Sequence, residues 1–372
     1  MDYETPQFFR VIQYAQQADR DVIDMVSGSP DWDPPAGLCD GLRDYADLDA
    51  ADYQYPPSVG LAELRARIAA RRGVDRSRVL VTNGTGEANH LAMVGGLEQF
   101  SGEEVLLTDP VYPYYAGRAN FLDADVGFVP VEANGRLDPE QLRERASDET
   151  AVIVVNSPNN PTGAVYDADA MAAFVAIAEE HDALLVSDEV YDHFDYTGRF
   201  TSALDCGSDH VVATNAFSKS MAITGFRVGY AVFPPEDGPT GDLLDRARTR
   251  HMLTNVTGSR PAQYAVLRAL QTTGPEYYAD VRARLTDRID TFCDALDDAG
   301  AAYTRPDGGF YVMARFEDYP GSFEHVYELI DETGVAGMPG EAFGDSRSKW
   351  FRFALVTPRV DEAAKRLADF FA

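Results

Sequence analysis

The fold of this chain is decided by the stretch Ala151-Val152-Ile153-Val154-Val155-Asn156-Ser157-Pro158-Asn159-Asn160-Pro161-Thr162-Gly163. Its first five residues form a continuous apolar run, which predicts a β-strand buried on both faces. Strands of this kind belong to parallel sheets that have helices on either side. The polar loop that follows lies just beyond the carboxyl end of the strand, which is where such sheets bind their ligands.

Strands and helices alternate around this stretch, from about residue 60 to residue 235. The pattern predicts strands at residues 78–82, 104–108, 151–155, 183–187, 211–215 and 227–233, and helices at residues 61–72, 88–100 and 167–181. This alternation is typical of an α/β domain with a largely parallel sheet.

The character of the chain changes after residue 240. Long helical stretches at about residues 240–272 and 275–299 precede three short strands near Gly309, Val335 and Phe351, and a final helix begins near residue 360. These elements predict a smaller α+β domain that the N-terminal segment joins. We therefore predict a large domain over residues 46–270 and a small domain formed by residues 1–45 together with 271–372.

The charge of the chain argues against two classes of partner. It has 61 acidic and 32 basic residues, a formal net charge of −29, and the acids are scattered along the sequence. Nucleic acid is an unexpected partner because phosphate binding needs a positive face. The same negative field repels anionic membranes, and the sequence has no run of 18 apolar residues that would span a bilayer.

The N-terminus and the cysteines indicate a cytoplasmic protein. The first residues, Met1-Asp2-Tyr3-Glu4, are neither basic nor apolar, so we expect no signal peptide. The three cysteines, Cys39, Cys206 and Cys293, are widely spaced, unlike a disulfide framework or a clustered zinc site.

Lysine is scarce in this chain. Only Lys219, Lys349 and Lys365 are lysines, and every other basic residue is an arginine. An acidic, lysine-poor surface indicates adaptation to a high-salt cytoplasm, while a GC-rich genome would also favour arginine, and both explanations can hold. Arginine replaces lysine as a surface cation but cannot form an imine with an aldehyde, so a remaining lysine is a candidate for chemistry.

Two further loops follow predicted strands and carry polar residues. Asn83-Gly84-Thr85-Gly86-Glu87 opens a helix, so it is either a phosphate-binding loop or an ordinary tight turn. Ser187-Asp188-Glu189-Val190-Tyr191 follows a buried strand. Asp188 is either a helix cap or surface ion-pair partner, or a carboxylate that pairs with a pyridine nitrogen.

The segment Ala216-Phe217-Ser218-Lys219-Ser220-Met221-Ala222-Ile223-Thr224-Gly225-Phe226-Arg227-Val228-Gly229-Tyr230 matches the motif S-K-x(5)-G-x-R-x-G. Together with the Asn-Pro loop at residues 156–163, it resembles the class I/II aminotransferase family over about residues 24–355. The resemblance implies the fold type I architecture of pyridoxal 5′-phosphate (PLP) enzymes. In that fold a mostly parallel seven-stranded sheet lies between helices, beside a smaller α+β domain.

The resemblance also implies how the cofactor is held. Lys219 would carry PLP as a Schiff base, Asp188 would contact the pyridine nitrogen, and Asn160 and Tyr191 would reach the phenolic oxygen. The remaining expected cofactor contacts come from four further segments. They are Gly84, Thr85, Gly86, Ser218 and Arg227 at the phosphate, Tyr112 stacked on the ring, and Tyr55 reaching the phosphate of the neighbouring subunit.

Substrate residues follow from the same resemblance. Arg352, in Trp350-Phe351-Arg352-Phe353-Ala354, would bind the substrate α-carboxylate with Asn160, and the backbone of Gly28 would line the pocket. Arg250 faintly resembles an arginine that binds a distal carboxylate in aspartate-type enzymes, although a surface arginine is the more ordinary interpretation.

The activity implied is a ping-pong aminotransferase that moves an amino group between an L-amino acid and a 2-oxo acid, working as a homodimer with shared active sites. A carbon–sulfur lyase on the same fold is the alternative within PLP enzymes. Two other classes are a PLP-binding regulator, which would need a DNA-binding extension, and a nucleotide-binding α/β protein that uses residues 84–86.

Overall fold

A computed structural model of the 372-residue chain describes residues 7–371. Residues 1–6, on which the expectation of no signal peptide rests, lie outside the described residues, as does Ala372. The helices are α1 (Gln7–Gln17), α2 (Ala36–Ala46), α3 (Ala62–Arg72), α4 (Thr85–Gln99), α5 (Tyr114–Phe121), α6 (Pro139–Arg145), α7 (Ala168–Glu180), α8 (Phe217–Ser220), α9 (Leu243–Asn255), α10 (Arg260–Thr272), α11 (Pro275–Asp298), α12 (Phe323–Thr333) and α13 (Val360–Phe371). The strands are β1 (Ile23–Asp24), β2 (Val79–Thr82), β3 (Glu104–Asp109), β4 (Asp125–Pro130), β5 (Thr150–Asn156), β6 (Leu184–Asp188), β7 (Val211–Ala216), β8 (Gly229–Val232), β9 (Ala302–Thr304), β10 (Tyr311–Arg315), β11 (Val335–Ala336), β12 (Met338–Pro339) and β13 (Phe351–Ala354).

Seven strands form the central sheet, in the order β2-β8-β7-β6-β5-β3-β4. Five strands in this order, from β7 to β4, run parallel to one another. Strand β8 is antiparallel to both β7 and β2. The predicted α/β fold with a mostly parallel seven-stranded sheet is therefore confirmed.

The apolar run in β5 is explained by two separate cores, one on each face of the sheet. Val152 and Val154 pack in a cluster that contains α4 residues such as Leu91. Ile153 and Val155 pack in another cluster with α7 residues such as Phe174. Because alternate side chains of a strand point to opposite faces, both sets of positions have to be apolar.

The region after residue 240 differs in detail from the prediction. The single helical stretch expected at 240–272 is wrong, because α9 and α10 are separate helices. Val256 has φ of 64° and ψ of −54°, far from the right-handed helical region, and Pro261 occupies the first turn of α10. A residue in this conformation ends a helix, and proline is tolerated only at the start of the next one.

Five strands, rather than three, lie in this C-terminal part. Strands β12, β13, β10 and β9 form an antiparallel sheet, and β11 pairs instead with the N-terminal strand β1 in parallel. Strands β9 and β12, of three and two residues, were not predicted, and such short strands carry few alternating positions to show a pattern. Strand β11 also has two residues and was predicted near Val335, so length alone does not separate the predicted strands from the missed ones.

The N-terminal segment packs against two separate parts of the structure. Val11 of α1 and Ile23 of β1 belong to the core of the C-terminal sheet, whereas Leu38 of α2 packs with residues of α3 and α10. The domain division at residues 46 and 270 stays a prediction. Within residues 7–371, no helix combines the length and the apolar character needed to cross a membrane.

Candidate active site

A cavity of about 400 Å³ opens at the carboxyl ends of β5, β6 and β7. Most residues predicted from the sequence line it, namely Gly28, Thr85, Gly86, Tyr112, Asn160, Asp188, Tyr191, Ser218, Lys219, Arg227 and Arg352. Gly84 lies directly against the Arg227 guanidinium. Tyr55 is 80% exposed and outside the cavity, and Arg250 forms an ion pair with Glu98 away from it.

Lys219 stands on α8, a single turn of helix that follows β7. Its side-chain amine donates a hydrogen bond of 2.6 Å to the main-chain carbonyl of Gly28. Burial, together with the nearby cations of Arg352 and Arg227, lowers the pKa of Lys219 to about 8. The amine is therefore closer to its neutral, nucleophilic form near neutral pH than an ordinary lysine is.

Asp188 is the last residue of β6, and its side chain is almost fully buried. One carboxylate oxygen, Oδ2, accepts hydrogen bonds of 2.7 Å from Asn89 Nδ2 and from the Tyr115 hydroxyl, and Oδ1 accepts one from the backbone of Val190. Burial raises the pKa of Asp188, and these hydrogen bonds oppose the rise. Among the described residues, no cation forms an ion pair with this carboxylate, so it suits a cationic N–H group brought by a ligand.

Two buried ion pairs hold the loop that carries Asp188 and Tyr191. Arg72, at the end of α3, donates to the buried carboxylate of Glu189 and, at 3.2 Å, to Asp192. Asn215 Nδ2 donates to the Glu189 carbonyl at 2.7 Å and to Asp192 Oδ2 at 2.9 Å. The loop is thus tied both to α3 and to the strand that leads to Lys219.

The far end of the cavity is formed by Arg352 of β13, which is 1% exposed. Its Nη1 donates to Asn160 Oδ1 at 3.3 Å, and its Nη2 donates to the carbonyl of Val26. The guanidinium lies 4.5 Å from the centre of the Tyr311 ring. A buried arginine with no carboxylate partner in residues 7–371 is suited to bind one on a substrate.

Tyr191 lies beside Tyr311. Its hydroxyl is 3.1 Å from the hydroxyl of Tyr311, and its ring packs edge-on against the Tyr311 ring. Burial raises the pKa of Tyr191, so its hydroxyl keeps its proton and can donate a hydrogen bond into the cavity.

The other end of the cavity is built for an anion. Gly84 has φ of 79°, and a side chain there would overlap the Arg227 guanidinium, which donates to the Asn83 carbonyl at 3.3 Å. The backbone N–H groups of the first turn of α4 begin at Thr85, whose buried hydroxyl oxygen has no partner. A helix N-terminus, a hydroxyl and a guanidinium together fit a phosphate group.

Several cavity residues were not predicted from the sequence. They are Asn89, Tyr115, Arg118 and Tyr311, and the α1 residues Phe8, Phe9 and Ile12. For Asn89 the sequence offered one signal, a polar residue near the start of the apolar helix α4. The others lie on elements whose direction and packing the local pattern does not reveal.

Comparison with known proteins agrees with this geometry. The family model for class I and II aminotransferases matches residues 20–367. An aspartate aminotransferase of Thermotoga maritima is 31% identical over 360 residues, covering 94% of this chain and 91% of its relative. A probable N-succinyldiaminopimelate aminotransferase of Mycobacterium tuberculosis is 32% identical over 374 residues, covering 93% and 91%. The solved alanine aminotransferase from Pyrococcus furiosus has a TM-score of 0.91 at 27% identity, covering 99% of this chain and 97% of that one.

The chain belongs to the class I and II aminotransferase family. It is a PLP-dependent enzyme of fold type I that transfers amino groups between amino acids and 2-oxo acids. The three relatives named above are all aminotransferases, and none of them is named as a carbon–sulfur lyase. The residues present fit the cofactor, since the cavity joins a buried carboxylate, a buried amine and an anion-binding loop with an unpartnered hydroxyl.

Proposed function

We propose that Lys219 attaches PLP covalently and then moves the α-proton of the substrate. The observation that carries this proposal is the position of its amine, which lies in the same cavity as the Asp188 carboxylate and close enough to Arg352 and Arg227 for their charges to lower its pKa. Bound PLP supplies an aldehyde that condenses with amino groups and a ring that accepts electrons from the α-carbon. The neutral amine of Lys219 would take the proton from the substrate α-carbon as a general base and return it to the C4′ carbon of the cofactor, two atoms away.

Asp188 and Tyr191 have separate parts in this proposal. The Asp188 carboxylate holds a proton on the pyridine nitrogen, which makes the ring a better electron acceptor. The hydrogen bonds from Asn89 and Tyr115 keep the carboxylate at one position. Tyr191 and Asn160 donate hydrogen bonds to the phenolic oxygen, and Tyr112 covers one face of the ring.

Arg352 orients the substrate. Its guanidinium binds the α-carboxylate through two N–H groups, with Asn160 beside it. Each amino acid and each 2-oxo acid then occupies the same position in turn, which gives a ping-pong reaction. The backbone of Gly28 closes this side of the pocket, because a side chain at this position would overlap the Tyr311 hydroxyl.

The experiment that tests this function follows the purified protein through both half-reactions. An amino donor alone should convert the bound cofactor to its amine form, seen as loss of the visible absorption band, and a 2-oxo acid alone should restore the band. A panel of donors with 2-oxoglutarate then defines the substrate range. Release of ammonia or a thiol without any requirement for a 2-oxo acid would favour the lyase alternative.

We further propose that the protein works as a homodimer in which Tyr55 reaches the phosphate bound by the partner subunit. Tyr55 and Leu253 are the most exposed large hydrophobic side chains among residues 7–371, at 80% and 78%. Their two segments are close in space, since the Thr257 hydroxyl donates to the Pro57 carbonyl. Sedimentation should show a dimer, and Tyr55→Phe should weaken PLP binding without changing the fold; a fully active monomer would contradict this.

The proposed setting is a cytoplasm of high salt. Its support is the net charge of −29 and the absence of a disulfide among the described cysteines. Salt screens the mutual repulsion of surface acids, so the melting temperature should rise steeply between low salt and molar KCl. A melting temperature that does not change over this range would refute the adaptation to salt.

A further inference from the structure

The loop Gly84-Thr85-Gly86 has an arginine on each side. A side chain at Gly84 would overlap the guanidinium of Arg227, and a side chain at Gly86 would come within 3.0 Å of Arg118 Nη2. Both glycines therefore leave room for a guanidinium. Between them, the buried hydroxyl oxygen of Thr85 has no hydrogen-bond partner.

Arg118 stands on α5 and lines the cavity. Its Nη1 donates to the backbone carbonyl of Tyr114 at 3.1 Å, and its guanidinium lies 6.0 Å from the centre of the Tyr114 ring. Within residues 7–371 no carboxylate forms an ion pair with it. In a chain with almost twice as many acids as bases, an arginine that lines a cavity without an acidic partner is available to bind a ligand.

The acid nearest in sequence is already occupied. Glu87 follows the loop directly, yet its carboxylate accepts hydrogen bonds from the Asn83 backbone at 2.6 Å and from Asn255 at 2.6 Å, and it contacts His251 Nδ1 at 2.7 Å. The loop therefore offers its N–H groups, the Thr85 hydroxyl and two guanidinium groups, but no carboxylate, to whatever lies in front of it.

We propose that Arg118 is a second guanidinium ligand of the cofactor phosphate, opposite Arg227. The proposal rests on the proposed placement of the phosphate at residues 84–86. A phosphate monoester carries a charge of about −1.5 to −2 at pH 7 and has three acceptor oxygens. One arginine neutralises only part of this charge, whereas two on opposite sides can each donate to a different oxygen.

The test compares PLP with pyridoxal, which lacks the phosphate. Dissociation constants of both compounds are measured with the full-length apo-protein for the wild type, Arg118→Met and Arg118→Lys. Arg118→Met should weaken PLP binding by about 10- to 100-fold, as expected for loss of a charged hydrogen bond, and change pyridoxal binding by less than about threefold. Arg118→Lys keeps the positive charge but loses the paired N–H groups of the guanidinium, so its dissociation constant for PLP should lie between those of the wild type and Arg118→Met.

The matched control is Arg246→Met, since Arg246 is a surface arginine paired with Asp242 on α9 and should leave both constants unchanged. Equal weakening of PLP and pyridoxal in Arg118→Met would overturn the proposal. So would an unchanged PLP constant with a raised KM for dicarboxylic substrates alone, which would place Arg118 at a distal carboxylate. Should Arg118→Met fail to fold, the ³¹P signal of PLP bound to Arg118→Lys is measured instead. A signal that titrates with pH as it does in the wild type would refute the phosphate contact.

These outcomes are distinct from failure of the proposed function. If Lys219 does not attach PLP, the visible band of the wild type is absent or survives replacement of Lys219. If only the inference on Arg118 is wrong, the band and its dependence on Lys219 remain, and the ratio of the PLP and pyridoxal constants does not change in Arg118→Met.

Discussion

The amine of Lys219 donates a hydrogen bond of 2.6 Å to the carbonyl of Gly28, a residue 191 positions earlier in the chain. This bond joins α8, which follows strand β7 of the central sheet, to the N-terminal segment, whose strand β1 pairs with β11 of the C-terminal part. Arg352, from near the other end of the chain, closes the same cavity. Three regions that are distant in sequence therefore position the reactive amine. A substitution in any of them should change how the site behaves.

Replacing Lys219 removes both the point of attachment and the proposed base. We expect Lys219→Ala to lose the visible cofactor band and to reduce turnover by about 10⁴-fold or more. Absorption spectra and keto-acid formation measure the two effects. Lys365→Ala is the matched control because Lys365 is exposed on α13, and it should behave as wild type. Turnover at the wild-type rate in Lys219→Ala would rule out the assignment.

The lowered pKa of Lys219 predicts how attachment depends on pH. Only the neutral amine reacts, so the rate at which added PLP attaches to the apo-protein should rise with pH through a midpoint near 8, the value to which the pKa of Lys219 is lowered. An ordinary lysine has its midpoint at about 10.4. In Arg352→Met the midpoint should move upward because a cation that disfavours the charged amine is gone. A midpoint above pH 10 in the wild type would contradict the prediction.

Asp188 is expected to act on turnover more than on binding. Asp188→Asn keeps the size of the side chain but loses the charge that holds the proton on the ring nitrogen. We expect kcat to fall by about 100-fold or more, while PLP still attaches to Lys219. Single-turnover kinetics with an amino donor measures the step directly. A rate close to wild type would mean that this carboxylate does not contact the pyridine nitrogen.

Arg72 should stabilise the fold through its buried ion pairs. Arg72→Met leaves the carboxylates of Glu189 and Asp192 with fewer partners in a buried setting, and the free energy of unfolding should fall by roughly 3–5 kcal/mol. Denaturant unfolding measures this change. The exposed pair of Arg43 with Asp40 is the control, and Arg43→Met should shift the unfolding midpoint very little.

A double variant separates lost attraction from an uncompensated buried charge. If the cost in Arg72→Met comes from leaving Glu189 charged and unpaired, Arg72→Met combined with Glu189→Gln should recover part of the lost stability. If the double variant instead loses as much free energy of unfolding as the two single variants lose together, the two side chains do not interact.

Most of the site could be predicted because its residues follow strands. The run at residues 151–155 reveals a buried parallel strand, and Asn160, Asp188 and Lys219 lie at or shortly after the carboxyl ends of three successive strands of this kind. The carboxyl ends of neighbouring parallel strands meet at one edge of the sheet, so loops far apart in sequence come together there. The scarcity of lysine, together with the match of residues 216–230 to the motif S-K-x(5)-G-x-R-x-G, then singles out Lys219.

The sequence by itself therefore determined the α/β fold and the edge of the sheet at which the cavity opens, and it predicts Lys219 as the residue that attaches the cofactor, because each depends on local pattern or on residue type. Only the tertiary structure decided what surrounds Asp188. Asn89 and Tyr115 reach it from 99 and 73 positions away, and Arg118 reaches the anion-binding loop from a helix outside every motif. Those contacts depend on how helices pack on the sheet, and packing is set by many weak interactions between distant residues that no short stretch of sequence records.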